Sequence, residues 1–299
     1  MNRVAVRWSV DVELSFAQAL YVVALGEQAV DPTVKTVLAQ SVQTINDRLL
    51  THSLDLASFW ERLRSSAQCG SAVLASIPDS LDAAGCSELM IENAQRQVAT
   101  LLADSRQDLE EALPQLAAQI ELRYRPLRDR WETCGFGLLR TLAKGFWGGN
   151  DAAEPDATDP IPLVMIQPIR GGDGGVDAGA GRVWMEAMLT DVDPEVPEVL
   201  RLAFLAHLLL VMRALNFDHL SQEMRRAYRL AIMVQCLEVG GEFDLIRSGD
   251  LPISRAMDLW RIGDASEVDT VVCWWKDTAR ADDPWPIKVQ RLSNELAVA

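Results

Sequence analysis

Histidine is nearly absent from the sequence: His52, His207 and His219 are the only three in 299 residues. Hydrolytic zinc usually takes two histidines close together on one element, and no such pair occurs. Cysteine is sparse and scattered. Cys69, Cys86, Cys134, Cys236 and Cys273 make an odd number with no Cys-x-x-Cys spacing. That speaks against a disulfide framework and against a zinc knuckle. Most of the five read as small core residues in a reducing compartment. Long apolar runs are missing too. The longest, Leu202 to Met212, is interrupted by His207 and falls short of the ~20 residues that cross a bilayer. No hydrophobic signal segment opens the chain, so the expected location is cytoplasmic, without membrane insertion.

Positive charge is also in deficit. Lysine and arginine number 28 against 43 acidic residues, a net charge of −15. Such a surface repels phosphate backbones, and no nucleic-acid partner is expected. The two basic clusters, Arg123 to Arg130 and Arg225 to Arg229, contain or adjoin acids and read as solvated faces with local partners.

What is present is core material: 49% of the residues are hydrophobic, enough for a large packed interior. Val4, Val6, Trp8, Val10 and Val12 alternate with polar neighbours, which predicts a half-buried strand. Helical periodicity then takes over. Helices are expected from Ser15 to Gly26, from Pro32 with Asp31 as cap, and from Leu56 to Arg64. Cys69 to Gly85 reads as a connector. Further helices are expected from Ser87 and from Pro114, the latter broken at Gly135 and Gly137.

Asn150 to Pro160 is polar, acidic and carries two prolines, and reads as a linker or surface loop. Ile161 to Ile169 and Arg182 to Leu189 flank the glycine-rich stretch Gly171 to Gly181. Together they predict a β-hairpin with a long flexible loop, whose prolines 162 and 168 suit an edge strand. Val199 to Leu215 is apolar nearly all round and should be the central buried helix, capped by Asp193. Helices over Leu220 to Val239, Ser254 to Ile262, Ser266 to Thr278 and Pro286 to Leu296 complete the chain. The expected fold class is mainly α, α+β at the margin: a multi-helix globular core with one small β-hairpin or short sheet. The expected organisation is a helical region 1–149, a linker or loop 150–160, and a region 161–299 with hairpin 161–189 and helical bundle 197–296. One continuous domain is the alternative.

Few residues invite chemistry. The glycine-rich loop lacks the lysine and serine of a phosphate cradle and precedes a strand, not a helix. His219 and Glu223 stand four apart, so they can share a metal or, more simply, a hydrogen bond. His207 falls inside the most buried helix and reads as a core residue. No G-x-S-x-G elbow marks a serine nucleophile. Trp274, Trp275 and Trp285 are the interaction candidates, because tryptophan is enriched where proteins meet.

One resemblance concerns the order of elements. A long helix around Leu116 to Arg140, then a hairpin, then a central helix from Val199, resembles the minimal scaffold of zincin-type metallopeptidases over residues 115 to 240. Where that family carries H-E-x-x-H, this chain reads PEVLRLAFLAHLL, with His207 alone. The resemblance implies a zincin-like fold without its metal.

Three functions follow as expectations. The first is a non-enzymatic protein-interaction or scaffold protein, self-associating in one form, with no cofactor and no metal. The second is a hydrolase on a zincin-like scaffold, whose pocket would gather Glu186, His207, His219 or Glu223. A small-molecule-binding helical sensor is the third.

Overall fold

The computed structural model describes residues 5–148, 159–246, 251–278, 281 and 283–298. The expected linker 150–160 lies almost wholly outside the described residues. The protein is mainly helical, with eleven α-helices and one small four-stranded sheet among the described residues.

Strand β1 (Val6–Val10) is shorter than its alternation suggests. Asp11 ends it by accepting the Leu14 N–H at 2.9 Å, which caps α1 (Val12–Ala24). Asp31 and Pro32 open α2 (Pro32–Thr51) as expected, the Asp31 carboxylate accepting the Thr33 N–H. Asp55 caps α3 (Leu56–Gln68) in the same way. The stretch read as a connector holds a 3-10 turn at Leu74–Ser76 and a short helix α4 (Ile77–Ala83). Pro78 sits in its first turn, where a missing N–H costs nothing, and Ile77 and Leu81 are buried.

Ser87 stands at the start of α5 (Glu88–Ala112), and α6 (Leu116–Trp147) follows. The expected break at Gly135 and Gly137 does not occur; α6 runs through both. These glycines serve packing. A Cβ at Gly135 would run into the Trp131 ring, and one at Gly137 would lie 2.8 Å from Phe243. The close approach returns more burial than the ~1 kcal/mol a helical glycine loses against alanine.

The sheet order is β1-β2-β4-β3, with β2 (Ile161–Ile166), β3 (Gly174–Asp177) and β4 (Arg182–Glu186). Two expectations are corrected here. Strand β2 is interior, not an edge: Pro162 stands at its second residue, and Pro168 falls beyond its end. Four residues of the glycine-rich stretch are not loop but β3, paired antiparallel with β4 from Gly174↔Met185 to Asp177↔Arg182.

The chain falls into two compact units, 9–123 with 164–171, and 1–8 with 124–163 and 172–299. In the first, Glu13 accepts the Val73 N–H at 2.7 Å and pairs with Arg106. Arg170 grips Glu27 with two nitrogens at 2.6 and 2.7 Å and stacks over Tyr21.

In the second unit, α7 (Glu198–Leu215) packs on β3, β4 and α8 (Gln222–Glu242). Fourteen consecutive residues of α7, from Glu198 to Val211, are buried. The expected stop of α8 at Gly240 and Gly241 is passed, because Gly240 admits Leu200 to within 2.7 Å of where a Cβ would stand. Helices α9 (Ile253–Trp260), α10 (Val268–Thr278) and α11 (Trp285–Leu296) close this unit. No helix among the described residues is long and apolar enough to cross a membrane.

Candidate functional site

The structure does not gather Glu186, His207, His219 and Glu223. His207 is fully buried on α7, met edge-on by Phe146 and Trp147, each ring centroid 5.5 Å away. Neither ring nitrogen has a hydrogen-bond partner. Burial alone pushes its pKa down to about 3, so the imidazole is neutral. His219 is exposed in the turn Phe217–His219, and Glu223 is exposed in the first turn of α8, where it hydrogen-bonds Ser221. Among the described residues no group of histidine, cysteine and carboxylate can hold a metal ion.

The three interaction tryptophans are differently placed. Trp274 is buried, and its Nε1–H donates to the Lys288 carbonyl at 2.8 Å, tying α10 to α11. Trp285 is buried and stacks on Phe146 at 5.4 Å; Trp275 is half-buried between them. They form an aromatic row inside one unit. Trp274→Phe keeps an aromatic ring and removes the indole hydrogen bond that ties α10 to α11. A loss of about 1–2 kcal/mol is expected, read from the urea midpoint. Among the cysteines, Cys86 and Cys236 are buried, but Cys69 and Cys273 are exposed, so the core reading holds for only part of the set.

Of the four candidates, Glu186 alone stands in a cluster of charge, and that cluster was not foreseen. Its carboxylate accepts the N–H groups of Gly172 at 2.8 Å and Asp173 at 3.2 Å. Close by, Glu198 and Arg201 on α7 are buried to 4% and 2% exposure. Arg201 Nη1 lies 3.6 Å from Glu198 Oε2, beyond hydrogen-bond length, while Nη2 donates to the Leu259 carbonyl at 2.7 Å. Arg201 Nε and Nη1, and Glu198 Oε2, have no hydrogen-bond partner.

Asp173, Glu186 and Glu198 all act on the one Arg201 guanidinium. A guanidinium stays charged, so the group whose protonation responds to burial here is Glu198. Burial pushes the Glu198 pKa up. Arg201 and a hydrogen bond from the Val192 N–H pull it back, and Asp191 and Glu186 push it further. Asp191 is separately matched: its Oδ1 accepts the Glu198 N–H at 2.9 Å, and its Oδ2 pairs with Arg130 at 2.6 Å. Asp191 therefore serves the start of α7, the role expected of Asp193. Asp193 instead accepts the Glu195 N–H and pairs with Arg255.

Gly172 makes the cluster compact. Its φ is +102°, and a Cβ there would lie 2.7 Å from Val192 Cγ2 and 3.0 Å from Arg201 Nη1. Gly172→Ala combines an unfavourable backbone with these contacts, and should cost about 2–3 kcal/mol in equilibrium unfolding.

Through Leu259, Arg201 also anchors the end of α9, beside a large open cavity. This open groove of about 750 Å³ is lined by α9, the turn after it, the start of α10 and Glu195. Ile253, Met257, Val268 and Val272 supply its apolar lining; Glu195, Arg255, Asp258, Arg261 and Asp264 supply charge of both signs. Its walls are braced. Arg226 pairs with Asp264 and with Glu267 at 2.6 Å, and Asp264 and Glu267 form a capping box. Arg261 closes α9 in the left-handed region at φ +54°, a conformation costing a non-glycine residue about 1–2 kcal/mol. Such strain persists only where surrounding contacts over-determine it.

Compared with protein-family models, curated proteins and solved structures, the chain finds no match. The geometry alone bears on function.

Proposed function

We propose that this is a non-enzymatic protein-interaction protein that docks a segment of a partner polypeptide in the groove along α9 and α10. The observation that carries this reading is the groove itself: about 750 Å³, open, and lined by apolar side chains together with charges of both signs. Polypeptide segments present the matching mixture of apolar side chains, charged side chains and backbone dipoles. The braced walls favour binding with little reorganisation. The acidic net charge of −15 favours a basic partner in the approach to the surface. The zincin-like hydrolase reading draws less support, since His207 is enclosed by aromatic rings and His219 stands in solvent.

Selection of displayed random peptides on the full-length chain tests the proposal. Convergent sequences are expected, with binding weakened about tenfold or more by Val272→Glu in the groove, a change of at least ~1.4 kcal/mol, while circular dichroism stays unchanged. Failure to converge, or convergent peptides indifferent to Val272→Glu, overturns it. A small molecule retained in native mass spectrometry and displaced by Val272→Glu would replace it with the sensor reading.

A further inference from the structure

We infer that the outer edge of β3 takes an extended, basic segment of a partner polypeptide as an added strand of the sheet. The edge shares no residue with the α9–α10 groove, and the inference does not rest on that groove. Sheet order β1-β2-β4-β3 gives β3 a neighbour on one side, β4, and no strand on the other among the described residues. Such an edge is a template for another chain. Apart from its shortness, β3 lacks the usual protections. It reads GGVD, without lysine or proline, and its register with β4 runs unbroken from Gly174 to Asp177, without a bulge. Helix α7 packs on a face of the strand, where Leu205 comes to 3.0 Å from the place of a Gly174 Cβ, yet all four residues stay half-buried.

Hydrogen-bond parity fixes which backbone groups face outward. In an antiparallel ladder, pairs that exchange hydrogen bonds alternate with pairs that do not. The Glu186 N–H donates to the Asp173 carbonyl at 2.9 Å. In the same register Gly175 bonds with Trp184 and Asp177 with Arg182, so Gly174 and Val176 turn their N–H and C=O groups away from β4. The Gly174 N–H is taken locally, donating to Asp173 Oδ1 at 2.8 Å. The Val176 N–H, the Val176 carbonyl and the Gly174 carbonyl meet no hydrogen-bond partner among the described residues. One donor and two acceptors thus lie in the order that strand addition uses. Gly174 and Gly175 place no side chain between this backbone and an arriving one, the setting in which glycine marks a close approach.

Charge decides the occupant. Two copies joined edge to edge about a two-fold axis, with both strands in full overlap, would set Gly174 opposite Val176 and hence Asp173 opposite Asp177 at either end. Like charges directly opposite destabilise a pair of strands, and each copy carries a net charge of −15. A segment bearing lysine or arginine meets the reverse condition: the net charge draws it in, and an aspartate stands at each end of the free edge. Of the nearby cations, Arg182 stands on β4, the inner neighbour, and Arg213 is held by the Gly181 carbonyl at 2.6 Å.

The test uses the full chain and the capped peptide Lys-Val-Thr-Val-Lys, with two controls: the same peptide N-methylated at its central residues, and Glu-Val-Thr-Val-Glu. Amide hydrogen exchange resolved by NMR reads the edge directly. The lysine peptide should slow exchange at Val176 about tenfold or more, and bind about tenfold or more tighter than either control. Val176→Pro deletes the outward N–H and no ladder bond, so it should keep the fold and weaken the lysine peptide about tenfold. If that variant does not fold, the N-methylated peptide makes the same comparison. Asp177→Asn keeps an acceptor for the Ala180 N–H and should narrow the lysine-to-glutamate ratio. An N-methylated or glutamate peptide binding as tightly as the lysine peptide, or unchanged exchange at Val176 under saturating peptide, overturns the inference. Protection of Val176 that grows with protein concentration alone overturns it in favour of a second copy. A lysine peptide that leaves Val176 unprotected and is lost on Val272→Glu belongs to the α9–α10 groove: the edge assignment then falls and the interaction reading stands.

Discussion

Arg201→Met should lower the free energy of unfolding by about 3–5 kcal/mol, the cost of breaking a buried ion cluster by removing one partner. Arg201 is 2% exposed, so solvent screens little of its interaction with Asp173, Glu186 and Glu198. Methionine fills the space of the stem but takes away the guanidinium on which Asp173, Glu186 and Glu198 act, and leaves the Leu259 carbonyl without its donor. The loss is then a penalty for stranded charge more than the worth of the cluster itself. Arg201→Met combined with Glu198→Leu should therefore recover part of the stability, because it removes the carboxylate that relies most on Arg201. Denaturant unfolding followed by tryptophan fluorescence measures both. A single-variant loss below about 1 kcal/mol would mean that the cluster is far better solvated than its burial indicates.

The second large effect is a stability slope in acid that belongs to His207. Its pKa is about 3 in the folded protein against about 6.5 in an unfolded chain. Below pH 6.5 the unfolded state binds the proton and the folded state does not, so stability present at neutral pH is lost as pH falls towards 3. From pH 7 to pH 5 the expected loss is about 2 kcal/mol, at 1.36 kcal/mol for each pH unit below 6.5.

His207→Leu should remove this contribution. At pH 7 it should leave stability unchanged or raised, since neither imidazole nitrogen has a hydrogen-bond partner to lose. The aromatic contacts with Phe146 and Trp147 are edge-on and are replaced by apolar packing. Urea midpoints at pH 7 and pH 5 for both proteins give the comparison. An undiminished acid slope in His207→Leu would show that carboxyl groups, not His207, set the acid sensitivity.

Much of the helical framework was legible because its signals are local. Asp31 followed by Pro32 marks a helix start whatever surrounds it, and the apolar span from Val199 to Leu215 could only be an interior helix. Glycine was the unreliable signal. Gly135, Gly137 and Gly240 read as breaks by conformational preference, yet each lies inside a helix where another side chain needs the room: Trp131, Phe243 and Leu200. Gly174 and Gly175 read as loop, yet the ladder with β4 holds them as strand. Intrinsic preference of about 1 kcal/mol yields to packing and to paired hydrogen bonds when the neighbours are close.

The charged cluster left one trace in the sequence. Arg201 is a guanidinium in a helix apolar on every face, and Glu198 stands at its first turn. A charge that cannot reach solvent must have partners. Attention to histidine, as the residue of metal and acid–base sites, passed over it. Of the residues picked for chemistry, only Glu186 belongs to the cluster.

Composition, hydrophobic period and caps by themselves determined a mainly helical, acidic protein with a short sheet and a buried helix near residue 200, since each depends on residues a few positions apart. Only the tertiary structure decided that Asp173, Glu186 and Glu198 share one guanidinium, and that His207 is sealed among aromatic rings. Those residues are brought together from separate elements by packing, and electrostatic energy depends on distance and burial, which no local pattern along the chain encodes.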